Sequence, residues 1–369
     1  MGYISSKKRS LEEFIERNRR FIMPTVLLGG FGVDTLTLQQ VDRVFDNVVL
    51  LSHLLIVSVC IILLFTKNTA WGARFRIVDK DSIINAIMLF SFGGLFSGFT
   101  IFYSKSGSLI SSWPFILFML VVMLGTEIKK NYFQELIRQI SIYYIAVFSY
   151  LIFSIPVLVS RMGAAIYLLS GVVSLLFIFF FIFVLSRVNR RDLLANKKKI
   201  LIRIFSIFAI FNILYFLNII PPIPLSLKFR AVYHDFERVQ AVEYKGYYEK
   251  APMLEFWHKR DNVFHRRDGE PVYVYTEVYA PVKLSTEIYH KWEYFDTERT
   301  RWVPSTQVLI PITGGRAEGF RGYSQKTNID PGTWRVKVTT ARGQTLGQIT
   351  FRVKPIEGET LDLRQEAFY

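Results

Sequence analysis

"PGTWRVKVTTARGQTLGQITFRV", residues 331–353, decides the second half of this chain. Trp334, Val336 and Val338 alternate with Arg335, Lys337 and Thr339, and Ile349, Phe351 and Val353 alternate with Thr350 and Arg352. Successive strand residues point to opposite faces. The spacing therefore predicts two half-buried strands joined at "ARGQ", with Pro331-Gly332 turning the chain before them. Upstream, "PVYVYTEVYAP" (271–281) sets Val272, Val274 and Val278 against Tyr273, Tyr275 and Tyr279, again with period two. Short strands separated by proline and glycine turns predict an all-β, antiparallel sandwich of immunoglobulin-like type over residues 225–369. Residues 228–268 are less legible and supply either further strands or a helical lead-in.

The first half is of another kind. "VVLLSHLLIVSVCIILLF" (48–65) and "GVVSLLFIFFFIFVL" (171–185) are long apolar runs in a chain that is 51% hydrophobic with 33 phenylalanines. A run of 18 or more such residues crosses a hydrocarbon core of ~30 Å at ~1.5 Å per residue. Six spans are expected at Val44–Thr66, Ile83–Tyr103, Trp113–Thr126 with its flanks, Ile140–Ser160, Ala164–Ser186 and Arg203–Ile220. A seventh, 21–38, spans only if Asp34 lies near the interface, and Pro24 with three glycines weakens it as a helix.

Lys and Arg number six in 1–20, one in 34–43, four in 67–82, one in 104–112, three in 127–139, one at 161 and six in 187–199. The alternation puts the basic loops in the cytoplasm and needs all seven spans to stay in phase. The expected organisation is thus a cytoplasmic segment 1–20, a transmembrane helical bundle 21–224 and an extracytoplasmic β domain 225–369. In a bacterium the bundle would sit in the inner membrane and the β domain in the periplasm or outside the cell. Most of the net charge of +15 lies in the membrane half, since residues 225–369 hold 22 basic against 19 acidic residues. That charge reports topology and attraction to anionic lipid rather than nucleic-acid binding. The single cysteine, Cys60, lies in a span, so no disulfide is expected in the β domain.

The ordered set "IYHKWEY" (288–294), "GFRGYSQK" (319–326), the 331–353 hairpin and "GGFGVDTLTLQQVDRVFDN" (29–47) resembles bacterial multi-pass membrane proteins carrying the domain of unknown function 2914. The resemblance runs over nearly the whole chain. It implies seven spans and a sandwich as one inherited unit, and it implies no activity, cofactor or catalytic residue.

Candidate sites are few. Asp34, Asp42, Arg43, Asp46 and Asn47 gather at the outer membrane face, either as a polar cap for docking or ligand binding or as a solvated helix start with Asp42 near the N-cap. His53 falls near the bilayer centre without a carboxylate at its depth, which favours a neutral residue bonded across helices over transport. Gly94 and Gly98 in "GLFSG" form a close-packing motif. His258, Asp261, His265 and Asp268 share a face only if helical, and the interleaved Lys and Arg oppose a metal. Asp268-Gly269 reads instead as a hairpin turn. His290 shares a strand face with Ile288, Trp292 and Tyr294, so it is expected inside, neutral and hydrogen-bonded, rather than at a reacting centre.

No P-loop, dinucleotide fingerprint, nucleophile elbow or zinc motif is present, so no cofactor is expected. Three functional classes are open: a non-enzymatic envelope protein binding a polysaccharide or protein partner, with Tyr273, Tyr275 and Tyr279 available to stack on sugars; a transporter or channel; and a membrane enzyme acting on a lipid-linked substrate. The first is favoured, because deep charges are missing for the second and a catalytic constellation for the third.

Overall fold

A computed structural model describes residues 43–67, 69–74, 81–106, 109–128, 136–222, 224–239, 244–250, 262–281, 284–313, 319–356 and 361–368, with Gly32, Asp34, Thr35 and Leu38. It divides into a helical unit ending at Leu217 and a β-rich unit holding Asn218–Tyr369 with the short segments Ser104–Ser112 and Pro156–Gly163.

Among the described residues seven helices precede the β-sheet region: α1 Val44–Thr66, α2 Ala70–Arg74, α3 Asp81–Lys105, α4 Leu109–Ile128, α5 Leu136–Val159, α6 Ala164–Val188 and α7 Arg190–Phe216. Five are long and apolar enough to cross a membrane: α1, α5, α6, α3 from Ile83 and α7 from Leu193. The apolar stretch of α4, Ser112–Val122, is shorter. The last helix begins earlier than Arg203 because Lys197–Lys199 continue it on an exposed face. The segment 21–38 lies outside the described residues except at the four positions named.

Gly94 and Gly98 on α3 do pack closely. A Cβ on Gly94 would lie 3.0 Å from His53 Nε2, and one on Gly98 would lie 2.8 Å from Leu50 Cδ2. The many phenylalanines fill the rest of the interior. Phe148 of α5 stacks on Phe211 of α7 at 4.8 Å, and Tyr167 of α6 lies flat on Tyr215 of α7 at 3.5 Å.

Among the described residues the β unit has eleven strands: β1 Ser226–Tyr233, β2 Asp235–Arg238, β3 Tyr244–Glu249, β4 Val263–Arg266, β5 Val272–Tyr279, β6 Ser285–Asp296, β7 Arg301–Thr313, β8 Phe320–Lys326, β9 Gly332–Thr340, β10 Thr345–Pro355 and β11 Leu363–Phe368. The stretch 331–353 is the antiparallel hairpin its period demands, with Trp334 opposite Phe351 and Val336 opposite Ile349.

Three sheets form, in the orders β1-β5-β8, β4-β10-β9-β6-β7 and β11-β3-β2. The first is the middle layer. Val272 and Val274 of β5 pack with Trp292, Trp334 and Val336 of the five-stranded sheet. Tyr275 of the same strand packs on the other side with Tyr233, Phe236 and Tyr248. Tyr275 and Tyr279 are therefore buried, at 0% and 4% exposure, and present no ring to a sugar. Most pairing is antiparallel as expected, but β4 runs parallel to β10.

Candidate functional site

The charged residues that sequence reading left aside meet inside the β unit. His234 sits at the bend between β1 and β2, its backbone N–H bonded to Tyr247 O at 2.8 Å. Its Nε2 lies 2.8 Å from Glu249 Oε1 at the end of β3, and its Nδ1 lies 2.7 Å from Glu270 Oε1 ahead of β5. His265 on β4 holds Glu249 from the other side, with its backbone N–H on Oε1 at 2.7 Å and Nδ1 at 2.6 Å from Oε2. Glu270 is fixed by the turn Arg267–Glu270, in which Arg267 N–H donates to Oε2 at 2.9 Å and Gly269 takes a φ of +76°. Only glycine adopts that conformation without strain. The four side chains tie elements of all three sheets together.

Both nitrogens of His234 face carboxylate oxygens, so both carry protons and the ring is an imidazolium. Burial opposes that charge, but hydrogen bonds to Glu249 and Glu270, with their Coulomb attraction, raise its pKa above the ordinary 6.5. Burial likewise opposes ionisation of the two carboxylates. Bonds from His234 and His265 nonetheless lower the Glu249 pKa, and bonds from His234 and the Arg267 N–H lower that of Glu270. His234, Glu249 and Glu270 are thus held in their charged forms and bonded to one another. The group has no poised base and no proton in search of an acceptor, which is what acid–base catalysis requires.

Beside it opens a cleft of ≈330 Å³ lined by His234 and Glu249, by the rings of Tyr248, Phe264 and Phe351, and by Arg230, Asn262, Gln348 and Thr350. Among the described residues Arg230 has no ion-pair partner. A smaller cleft of ≈210 Å³ lies by Tyr294, Lys326, Asp330 and Trp334, and its charged residues are not buried.

His290, on β6, is fully buried. Its Nε2 is 2.9 Å from Thr276 Oγ1 on β5 and its Nδ1 2.9 Å from Ser324 Oγ on β8. Trp292 Nε1 donates to the same serine at 3.0 Å. The ring joins the middle and five-stranded sheets, and burial pushes its pKa down to about 3. It is neutral and sealed.

The other sequence candidates stay apart. Asp42, His258 and Asp261 lie outside the described residues. The N-cap of α1 is Arg43, with no side-chain cap, while Asp46 in its first turn is fully buried rather than solvated. Asp34 accepts a helical bond from Leu38 N–H at 2.8 Å. His53 packs its edge on Phe90, with ring centroids 5.9 Å apart, and its buried Nδ1 has no hydrogen-bond partner among the described residues, in place of the expected interhelical bond.

His265 lies on a strand, which undoes the helical spacing to Asp268, and among the described residues no group of three His, Cys, Asp or Glu is arranged to hold a metal ion. The Asp268-Gly269 turn leads from β4 into β5 as expected, yet those strands belong to different sheets, so it bridges layers rather than closing a hairpin. Sequence reading missed His234, Glu249 and Glu270. The available signal was a histidine flanked by valine, tyrosine and phenylalanine in "AVYHDF", a setting that demands a partner.

Residues 285–353, from β6 to near the end of β10, match the family model described as protein of unknown function (DUF2914). That segment holds His290, Trp292 and the β10 wall of the larger cleft, but not Arg230, His234, Glu249 or Glu270. No curated protein matches the chain. Among solved structures the chain is similar to the Pseudomonas fluorescens alkylpurine DNA glycosylase AlkC bound to DNA containing an abasic site analog, at 10% identity over 86% of this chain and 99% of that one. The TM-score of 0.22 is too low for that likeness to bear on fold or function.

Proposed function

We propose that this is a multi-pass bacterial inner-membrane protein that displays a β domain outside the cytoplasm to bind an envelope polymer or protein, without catalysis. The spans number seven on this reading, with 21–38 as the first, residues 1–20 cytoplasmic and residues 225–369 in the periplasm or beyond. The β domain is built around an immunoglobulin-like sandwich formed by the middle and five-stranded sheets, with β11-β3-β2 as an added layer.

One observation carries the reading. The cleft has a floor in which His234, Glu249 and Glu270 are charged and paired, beneath the polar side chains of Arg230, Asn262, Gln348 and Thr350, which make no side-chain hydrogen bond among the described residues; this suits recognition and not proton transfer. The alternating basic loops support the orientation. The test uses the full chain in nanodiscs, incubated separately with solubilised envelope polysaccharide and envelope protein. Retention of one fraction, weakened by Arg230→Glu, supports recognition at the cleft. Retention of neither, or turnover of a lipid-linked substrate by the wild-type chain, removes the proposal.

A further inference from the structure

Away from the larger cleft, the layer β11-β3-β2 covers only part of the tyrosine face of the middle sheet. In β5 and β8 the odd-numbered residues share that face, with Tyr273 opposite Gln325 and Tyr275 opposite Tyr323. Tyr275 is sealed at 0% exposure. Tyr323, on the end strand of the sheet, is 40% exposed, and Tyr273 is partly buried. These two rings are diagonal neighbours, with centroids 6.2 Å apart and planes inclined at 48°. Tyr323 also leans on Phe236 of β2, centroid to centroid 5.2 Å, and Phe236 is 4% exposed. Both walls of this open notch are therefore held by packing before any ligand arrives. Neither tyrosine hydroxyl makes a hydrogen bond among the described residues.

Charge points to the occupant. Glu277, on the same face, is committed to Arg321 and to the Tyr275 hydroxyl. Asp235 and Glu237, which flank Phe236 on β2, have no ion-pair partner among the described residues. Lys245 stands opposite Glu237 across β2 and β3 without pairing to it. Asp235 accepts the Phe236 N–H on Oδ1 at 2.9 Å, which leaves its second oxygen for a ligand. Both carboxylates make themselves felt in the notch. Burial, then Asp235, Tyr323 and Glu237, raise the Tyr273 pKa above the ordinary 10. A tyrosine face attracts a cation, carboxylates beside it add to that attraction, and an anion is repelled by both. The same ring packs on the apolar face of a sugar, while phenol, carboxylate and the exposed Gln325 amide suit its hydroxyls.

We propose that the notch between Tyr273 and Tyr323 binds a cationic amino sugar of a polysaccharide, its ring packed on Tyr323 and its ammonium turned to Asp235 and Glu237. The inference rests on the reading of the β domain as a recognition module and gives it a saccharide site that shares no residue with the larger cleft.

The full chain in phosphatidylcholine nanodiscs is titrated at pH 6, where glucosamine is charged. The probes are fluorophore-labelled hexamers of glucosamine, of N-acetylglucosamine and of glucose, with hexalysine beside them, all followed by anisotropy. The glucosamine hexamer is expected to bind, and the acetylated and neutral hexamers to bind about tenfold more weakly or worse. Tyr323→Ala weakens the glucosamine hexamer by about tenfold or more, whereas Tyr323→Phe, which keeps the ring, costs much less. Asp235→Asn combined with Glu237→Gln removes the preference for the charged sugar. That pair keeps the acceptor for the Phe236 N–H, so it tests the proposal even if Tyr323→Ala fails to fold. Arg230→Glu does not weaken the hexamer, which separates this site from the cleft, so either can fail while the other stands. Charged and acetylated hexamers that bind equally overturn the proposal, as does glucosamine binding indifferent to Tyr323→Ala and to the carboxamide pair. Hexalysine held as tightly, with the same sensitivities, also overturns it, because the notch would then read charge and not sugar. So does a chain with native tryptophan fluorescence that binds no hexamer.

Discussion

Replacing His290 with Gln changes one buried ring and makes a quantitative claim about it. At neutral pH the wild type holds hydroxyl contacts of 2.9 Å to Thr276 and Ser324 that glutamine cannot reproduce in the same geometry. Losing satisfied buried hydrogen bonds costs about 1–3 kcal/mol. The pH dependence runs the other way. The folded pKa is depressed from 6.5 to about 3, so between those values the folded state binds fewer protons than the unfolded chain. The contribution of His290 is intact above 6.5 and falls by ~1.4 kcal/mol for each pH unit below it, until the pH reaches the folded pKa. Glutamine carries no such dependence. Starting from an advantage of about 2 kcal/mol at pH 7, the wild type meets the variant near roughly pH 5 and is the less stable protein below it. Urea unfolding of the full chain in dodecyl maltoside, followed by tryptophan fluorescence from pH 4 to 8, measures the difference at each pH. Because every other titrating group is common to both proteins, their difference isolates this residue. Two curves that stay parallel across that range would refute the reasoning. Equal stability with lost peptide or polymer binding would make His290 a ligand-contacting residue.

Glu249→Gln leaves His234 charged with one carboxylate fewer and should destabilise the β unit by about 3–5 kcal/mol at pH 6, read from the urea midpoint; a loss under 1 kcal/mol would mean the cluster does not hold the sheets together. Gly246→Val should open the small sheet, since a Cβ there would lie 2.6 Å from the buried Tyr233 ring; β11, which pairs with β3, would then lose hydrogen-exchange protection ahead of β9 and β10. Alkaline phosphatase fused after Arg230 should be active and after Asn189 inactive, and the opposite pattern would break the proposed orientation.

The hairpin of β9 and β10 was legible because one of its faces is buried and the other wet, so hydrophobicity records the period directly. The apolar runs of α1 and α6 were legible by length, and the glycine pair on α3 by spacing. β5 was half legible. Its valines and two of its three tyrosines, Tyr275 and Tyr279, are buried, so alternation no longer separates core from solvent, and the tyrosines passed for a free face. The layer that covers Tyr275 comes from β2, β3 and β11, short strands of which β11 joins β3 from far away in the sequence. The charge cluster was hidden for the same reason, since Glu249 and Glu270 lie 15 and 36 residues from His234. A parallel pair such as β4 and β10 leaves no local turn to announce it.

The β unit buries two histidines almost equally, His290 at 0% and His234 at 4% exposure, and holds them in opposite charge states. Depth cannot be the cause. His290 meets two hydroxyls, which satisfy a neutral ring and give a cation nothing to offset its desolvation. His234 meets two carboxylates, which outweigh the same penalty. Their contributions to stability therefore slope in opposite directions. That of His234 is fully present below 6.5 and is lost as pH rises through its raised folded pKa, while that of His290 is fully present above 6.5 and is lost as pH falls. The lowered carboxylates add a term present above 4.5 and lost as pH falls through their folded values. Stability of the β unit should peak close to 6.5 and fall on both sides. The double variant His234→Gln with His290→Gln should flatten that profile between about pH 5 and 8, and each single variant should flatten only its own limb. A double variant that keeps the peak would show that the two rings are not its source.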